Sequence, residues 1–539
     1  MGTQAPLEDA PQSHLTEEWS RRPLTQAEKA VVEQHLLDGE RDLRRYEAEL
    51  NRLKASIMVV EGKRDRTRKA LESYRSLLAP VQQMPSEILN EIFSNFCSSH
   101  DILLPPDSDT LPSPVALSMV CGRWRDICLS STGLWSFITI YTSHWDEGLR
   151  MQWLLKLVLD LFMERSKGHQ LHASLCIDHT TPPDGGFMDI VDVALGTLER
   201  HSHRWSDMEF DLNHTAMQHP VFSRVGNLSM LHTFTLRTYG LGTGKDLRLI
   251  RSASALRHLS LSLFGIPINV DDVPWAQLEE LELVLGEEAP SPLEIVVLCH
   301  NLRQLKLRDR ESDSNQSRRH IASDLTSLII CAPNSLFLDH ATLPKLSSFD
   351  VSFQRYEPHS KWDPVPFRNM LLRSQCSVTS FSLSNADITD IEVISLLRIM
   401  PTLNCVHVHE RRPSLWEEPQ PVLYNKILTP TFFNQLIVHE SAGTSLKRTS
   451  VPLVPRLHEL GLDIHCHDFD GVAFSKVIAS RWIPESDERE MLGVDGLRSV
   501  EVRFIDEVVE LPESLVALRC FTDVGLRVSI EHPDFWRSD

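Results

Sequence analysis

Three hydrophobic rhythms follow one another along the chain. The first has a period of seven. Leu36, Leu43, Leu50, Ile57, Arg64, Leu71 and Leu78, with Gly39, Tyr46, Leu53, Val60, Thr67 and Tyr74 three residues after the first six, make one seam. Ten of these thirteen positions are apolar or tyrosine, the signature of a coiled-coil helix. Thr25-Gln-Ala-Glu28 has capping-box spacing and no proline follows until Pro80, which predicts a helix of about fifty residues over 25–79, weakened at Gly39 and Gly62. The seam suits a dimerisation stalk. It suits equally a helix folded back onto the next domain, or a single helix. Arg64 and Thr67 interrupt it, either fixing register or ending the paired stretch. Residues 1–24 hold Pro6, Pro11 and Pro23 without an apolar period and read as a disordered lead-in.

The second rhythm is that of amphipathic helices. Pro85 in Met84-Pro-Ser-Glu-Ile-Leu-Asn-Glu-Ile-Phe93 is well placed at a helix start, where its missing amide is not needed. Ile88, Leu89, Ile92, Phe93 and Phe96 then form one apolar stripe. Residues 98–114, with four prolines and four serines, predict a loop. Leu117, Val120, Cys121, Trp124, Ile127 and Cys128 make a second stripe, followed by Leu134-Trp135 and a short apolar strand, Phe137–Tyr141. A unit of about fifty residues is too small for a deep core and calls for a partner surface. Leu149–Phe162, apolar nearly all round, predicts a buried helix in the linking segment 142–170.

The third rhythm, from about residue 171, is apolar-x-x-apolar-x-apolar. Clear copies are Leu231/Phe234/Leu236, Leu256/Leu259/Leu261, Leu278/Leu281/Leu283 and Leu302/Leu305/Leu307. Weaker ones are Leu325/Leu328/Ile330, Leu346/Phe349/Val351, Val378/Phe381/Leu383, Leu403/Val406/Val408, Leu457/Leu460/Leu462 and Leu497/Val500/Val502, with Trp205/Met208/Phe210 as an early copy. The period, near about 24, resembles that of leucine-rich repeats, one strand per turn with a return helix or loop. Segments 291–300 and 390–400 read as return helices. The last two steps, 54 and 40 residues, suggest one skipped or degenerate copy and one long insertion. Phe264, Gly286 and Arg310 stand where the family has asparagine, so an irregular arc is expected. The predicted fold class is mainly α at the N-terminus, then an α/β leucine-rich-repeat-like solenoid over 171–539.

The residues between stalk and repeats carry a second resemblance. Met84-Pro85-x-Glu87-Ile88-Leu89-x-x-Ile92-Phe93, Leu117-x-x-Val120-Cys121-x-x-Trp124 and Leu134-Trp135 resemble the F-box, over 82–141. Gly122 stands where that family often has a basic residue, and the loop 97–114 is longer than in its shortest members. With the heptad helix and the repeats, the whole resembles the F-box proteins abundant in mushroom-forming fungi. The resemblance implies docking on a Skp-type adaptor of a cullin–RING ubiquitin ligase through Pro85, Ile88, Leu89, Ile92, Leu117, Val120, Cys121 and Trp124. Phe93 and Trp124 would also hold the helices together. It implies a non-catalytic substrate-recognition subunit whose repeats hold an unknown target protein near the ubiquitin-loading enzyme. The alternative is a non-degradative scaffold assembled through the coil, as a homodimer through 25–79.

Charge changes the picture in one respect. The 539 residues carry 54 Lys and Arg against 74 Asp and Glu, a net −20, which argues against nucleic acid as the partner of the body. Residues 41–76 hold 11 basic and 6 acidic side chains, five of the basic ones within Lys63–Lys69. That run is either a nuclear-import signal or a solvated basic face. The ten cysteines show no CxxC pair, consistent with buried thiols in a reducing compartment. The N-terminus has no cleavable signal and the longest apolar run is too short for a membrane helix, so a cytoplasmic or nuclear protein is expected, without membrane contact. Gly240-Leu-Gly-Thr-Gly-Lys245 lacks the spacing of a phosphate loop, and His465-Cys-His-Asp468 has no second ligand pair nearby. Three glycosylation sequons, at Asn213, Asn227 and Asn315, and the polar loops 309–319 and 441–450 add no chemistry. No catalytic residue, cofactor or metal is assigned.

Overall fold

The computed structural model describes residues 23–99, 111–141, 148–177, 185–239, 247–263, 269–285, 290–309, 319–331, 335–353, 362–410, 426–439, 452–464, 469–505, 515 and 518–531. Most of the lead-in, the Gly240–Lys245 and His465–Asp468 segments, the loop 441–450, most of 309–319, and Phe264, Gly286 and Arg310 lie outside the described residues. The chain divides into two compact units, Met1–Leu89 and Asn90–Asp539.

In the first unit, helix α1 (Gln26–Leu77) runs for 52 residues. Its cap is the one the sequence predicts: the Glu28 amide donates to Thr25 Oγ1 at 3.5 Å and the Thr25 amide to the Glu28 carboxylate at 2.8 Å. Gly39 and Gly62 do not break it. None of its residues is buried, and its ten apolar or tyrosine seam positions through Leu78 are 50–77% exposed. A single helical turn, Pro80–Gln83, precedes helix α2 (Ser86–Ser99), which starts just after Pro85 and carries the chain into the second unit.

The second predicted stripe is divided. Helix α3 (Ser113–Val120) ends at Cys121, whose extended backbone (φ −159°, ψ 170°) separates it from helix α4 (Gly122–Ser130). Leu117 and Val120 therefore sit on one helix and Trp124, Ile127 and Cys128 on another. Trp135 is 3% exposed. Its indole donates to the Cys128 carbonyl at 2.8 Å, and its ring meets Phe162 edge-on at 5.3 Å. Phe162 belongs to helix α5 (Gly148–Ser166), which packs on helix α6 (Gly185–Arg200). The expectation of an all-round buried α5 is corrected. Leu155, Leu159 and Phe162 are buried, whereas Trp153 is 66% and Leu157 50% exposed. One face of a helix docked on one side is all the fold can cover.

Among the described residues fourteen strands form one sheet, each hydrogen-bonded in parallel to the next of the fourteen along the chain, while Ile321–Ala322 and Ala341–Thr342 pair separately with each other. They are β1 (Phe137–Tyr141), β2 (Leu171–Cys176), β3 (Trp205–Asn213), β4 (Thr233–Tyr239), β5 (His258–Leu263), β6 (Glu280–Leu285) and β7 (Gln304–Asp309). Then follow β8 (Ser327–Ile330), β9 (Ser348–Ser352), β10 (Ser380–Ser384), β11 (Cys405–His409), β12 (Glu459–Ile464), β13 (Ser499–Phe504) and β14 (Arg527–Glu531). This is a solenoid: one strand per turn, each return helix or 3₁₀ turn lying between successive strands. The sheet begins at Phe137 rather than at 171, because β1 pairs in register with β2.

The second and third positions of the repeat triplets fall on the strands, and from Leu231 onward the first lies in the turn just ahead. Their second positions align across the sheet as Phe234, Leu259, Leu281, Leu305, Leu328, Phe349, Phe381, Val406, Leu460 and Val500. All of these are at most 2% exposed. Where phenylalanine replaces leucine the stack adapts. Phe367, from helix α7 (Val365–Ser374), lies 3.8 Å from Phe349 and 6.3 Å from Phe381, nearly parallel to both. A backbone ladder runs through the turn ahead of each strand. Amides from His232 to Arg498 donate in succession to the carbonyls of Ser206, His232, Arg257, Glu279, Arg303, Thr326, Ser347, Thr379, Asn404 and His458 at 2.8–2.9 Å. These bonds tie the backbone of each turn to that of the next.

No repeat is skipped between residues 403 and 457: β11 pairs directly with β12, Cys405 opposite Glu459. Both long steps are insertions. Arg481, wholly buried at the end of helix α8 (Gly471–Arg481), ties the first of them down. Its guanidinium donates to the carbonyls of Leu436 at 2.7 Å, Val454 at 2.9 Å and Leu453. Burial lowers its pKa to about 10, so it remains a cation at neutral pH.

Candidate functional site

Two surfaces present themselves, one helical and one on the sheet. On α2, Pro85 and Ile88 are exposed (Ile88 43%) and Leu89 is 1% exposed. Further along the same helix Ile92 is 45% and Phe96 39% exposed. Ile88, Ile92 and Phe96 recur every fourth residue and so lie along one stripe of the helix. In α3, Leu117 is half-buried, while Met119 and Val120 are 63% and 59% exposed. Cys121 and Trp124 are half-buried. Trp124 packs on Phe93, ring centroids 4.7 Å apart, and its indole nitrogen is buried without a hydrogen-bond partner among the described residues. Asn90 and Ser131 join α2 to the end of α4 through a 2.5 Å hydrogen bond. The eight residues thus separate by environment. Leu89 is core, Trp124 is largely packing, Pro85 and Ile88 are exposed in the first unit, and Ile92 and Val120 are exposed in the second. Met119, 63% exposed next to Val120, joins them.

The other surface is the face of the sheet made by the positions that alternate with the core. Register lines these up in rows, one of which reads Thr235, Ser260, Glu282, Lys306, Ile329, Asp350, Ser382, His407 and Gly461. Polar and charged pairs bridge neighbouring strands at both ends: His172–Asp207 (2.5 Å), Glu209–Arg237, His258–Glu280 (3.0 Å) and Glu282–Lys306 (2.6 Å) toward the N-terminal end. At the other end His409 and Arg503 converge on Asp463, and Arg503 also holds Glu501 and Glu531. Between them β8, β9 and β10 present six serines, 327, 348, 352, 380, 382 and 384, around Ile329 and Asp350. Small side chains there make a low polar floor. At the first strands Cys97 and Ser98, at the end of α2, line with β1–β4 an open hollow of about 220 Å³.

Electrostatics follow from these contacts. Burial alone would raise the Asp207 carboxyl, but hydrogen bonds from His172, Thr233 and Ser206 hold it at about 2. Glu282 is likewise held low, by Lys306 and Ser260 against burial. Asp350 is the opposite case. Burial pushes its carboxyl up, the Ser382 hydroxyl offsets only part, and its Oδ1 has no hydrogen-bond partner among the described residues. The described open-face positions carry ten acidic and five basic side chains, a net −5. Asp207, Glu209, Asp211, Glu280, Glu282, Asp350, Glu459, Asp463, Glu501 and Glu531 face Arg237, Lys306, Arg308, Arg503 and Arg527. The sequence signal for this face was present in the alternating serines of Ser348-Phe-Asp-Val-Ser352 and Ser380-Phe-Ser-Leu-Ser384, and the repeat period gives the order of the strands but not which charged side chains meet across them. Among the described residues no group of three or more His, Cys, Asp or Glu is placed to hold a metal ion, and no helix is long and apolar enough to cross a membrane.

No protein-family model matches the chain, and no curated protein matches it. Among solved structures it is similar to an internalin of Listeria monocytogenes, at 14% identity over 71% of this chain and 95% of that one, with a TM-score of 0.30. So loose a superposition carries no argument, and the solenoid rests on the strand order and register described above.

Proposed function

We propose that the chain is the substrate-recognition subunit of an SCF-type cullin–RING ubiquitin ligase. Its F-box-like segment binds the Skp-type adaptor and its sheet binds a target protein, in the cytoplasm or nucleus. The observation that carries the reading is the exposure of Ile92, Met119 and Val120 on short helices. Apolar side chains left exposed on short helices are natural anchors for a protein partner, and Ile92 and Val120 are among the positions the F-box resemblance assigns to the adaptor. The acceptor-rich open face, with its net −5, favours a target that offers lysines and arginines. This chain contributes no chemistry of its own in that role. It contributes proximity.

Co-purification with the adaptor tests the reading. The wild-type chain is expected to capture it, and the Ile92→Ala/Val120→Ala variant to lose it while keeping its circular dichroism and melting temperature. A folded wild type that fails to bind sinks the proposal. The scaffold alternative, favoured by the exposed apolar seam of α1, is separated by half-life: a bound protein whose turnover is unchanged when this chain is deleted supports scaffold over receptor.

A further inference from the structure

The seam of α1 is an apolar face 50–77% exposed at every apolar or tyrosine position, and its flanks are charged unevenly. Residues 26–51 hold seven acids and four bases, a net −3, whereas residues 52–77 hold eight bases and three acids, a net +5. Among the described residues no acid pairs with Lys63, Arg66, Arg68 or Lys69. From this polarity we infer that the face is covered by α1 of a second copy of the chain, running antiparallel.

The flanking positions decide the orientation. In a parallel, in-register pair, Arg64 faces its own copy across the seam. Asp42 then meets Glu47 of the second copy, Lys63 meets Arg68, and only Glu49–Lys54 attracts. In an antiparallel pair centred near residue 55, Leu36 packs on Tyr74, Leu50 on Val60 and Ile57 on Leu53. Arg64 is then placed over the Tyr46 ring, a favourable cation–π arrangement. Lys63 meets Glu49 and Arg68 meets Glu40, each pair occurring twice by symmetry. Glu47 opposite Glu61 and Lys54 opposite itself are the repulsive contacts of this arrangement. Attractions therefore outnumber repulsions only in the antiparallel pair, and the acidic half of each helix lies along the basic half of the other. Glu40 and Glu49 now hold Arg44 at 3.2 Å and Arg52 at 3.7 Å. Such exposed pairs within one helix are weak and readily exchanged.

Sedimentation equilibrium of the full chain at low ionic strength tests the inference. The wild type is expected to be a dimer. Lys63→Glu, which sets like charges against Glu49, is expected to raise the dissociation constant about tenfold. Glu49→Lys added to Lys63→Glu is expected to restore it. A parallel pair requires the opposite for the single variant, because the carboxylate introduced at position 63 would attract Arg68 of the second copy. Tighter association of Lys63→Glu, no restoration in the double variant, or a wild type monomeric at high micromolar concentration overturns the inference. Circular dichroism of each variant confirms that the helix is retained. Adaptor capture by a monomer would leave the receptor reading standing, so the two fail separately.

Discussion

The imidazole of His407 lies over Gly461 on the neighbouring strand, filling the space that a β-carbon at residue 461 would need. Gly461→Ala is therefore expected to displace the ring and cost about 1–3 kcal/mol, the usual range for overpacking. In the His407→Ala background the same change should cost almost nothing. Urea denaturation of the two single variants and the double gives the coupling directly.

Arg481 joins three carbonyls of the insertion between β11 and β12. Arg481→Met keeps much of the volume and orphans those acceptors, at about 1–3 kcal/mol for each acceptor left without a donor. The first effect expected is faster hydrogen exchange over residues 430–439 and 452–458, ahead of any change in β3–β7. Uniform exchange across the solenoid would show that Arg481 does not govern the insertion.

Asp207 and Asp350 respond to acid in opposite ways. Asp207 is held at about 2, below the ordinary carboxylate value near about 3.9. Its contribution is present above that ordinary value and is lost as pH falls toward 2. Wild type should accordingly lose more stability than Asp207→Asn across that window in urea titrations.

Burial raises Asp350, so its ionised form penalises the fold at neutral pH. The penalty fades as pH falls through the raised value and is gone below the ordinary one. Asp350→Asn is expected to be more stable than wild type at pH 7 and equal to it at low pH. If the open face takes a basic target, the same variant should bind that target less well, a trade of function for stability measurable by calorimetry.

Leu89 and Ile92 sit three residues apart on one helix with different fates, 1% and 45% exposed. Leu89→Ala is expected to cost about 2–5 kcal/mol of stability, as buried leucines do. Ile92→Ala and Val120→Ala should leave stability within about 0.5 kcal/mol and weaken adaptor binding by about 2 kcal/mol, near thirtyfold. Thermal melts and isothermal titration separate the two outcomes.

Much of this molecule was legible in its sequence because its contacts are local or periodic. The Thr25–Glu28 cap, the heptad helix and every repeat triplet from Trp205 to Leu497 follow from spacing alone, since a fixed period places the same side chains on the same face of each turn. Three readings failed where the deciding contact was not periodic. Cys121 turns the chain in mid-stripe, the exposed half of α5 depends on what packs beside it, and the 54-residue step is closed by Arg481 reaching carbonyls 27 to 45 residues away.

The open face marks the same division. Sequence determined that polar and apolar positions alternate along each strand, because a pleated strand sends successive side chains to opposite faces. Only the tertiary structure decided that His409, Asp463 and Arg503 meet, that Asp350 lies in a floor of serines, and that the face sums to −5. Parallel register sets those meetings, and register is a property of neighbouring strands that no single strand contains.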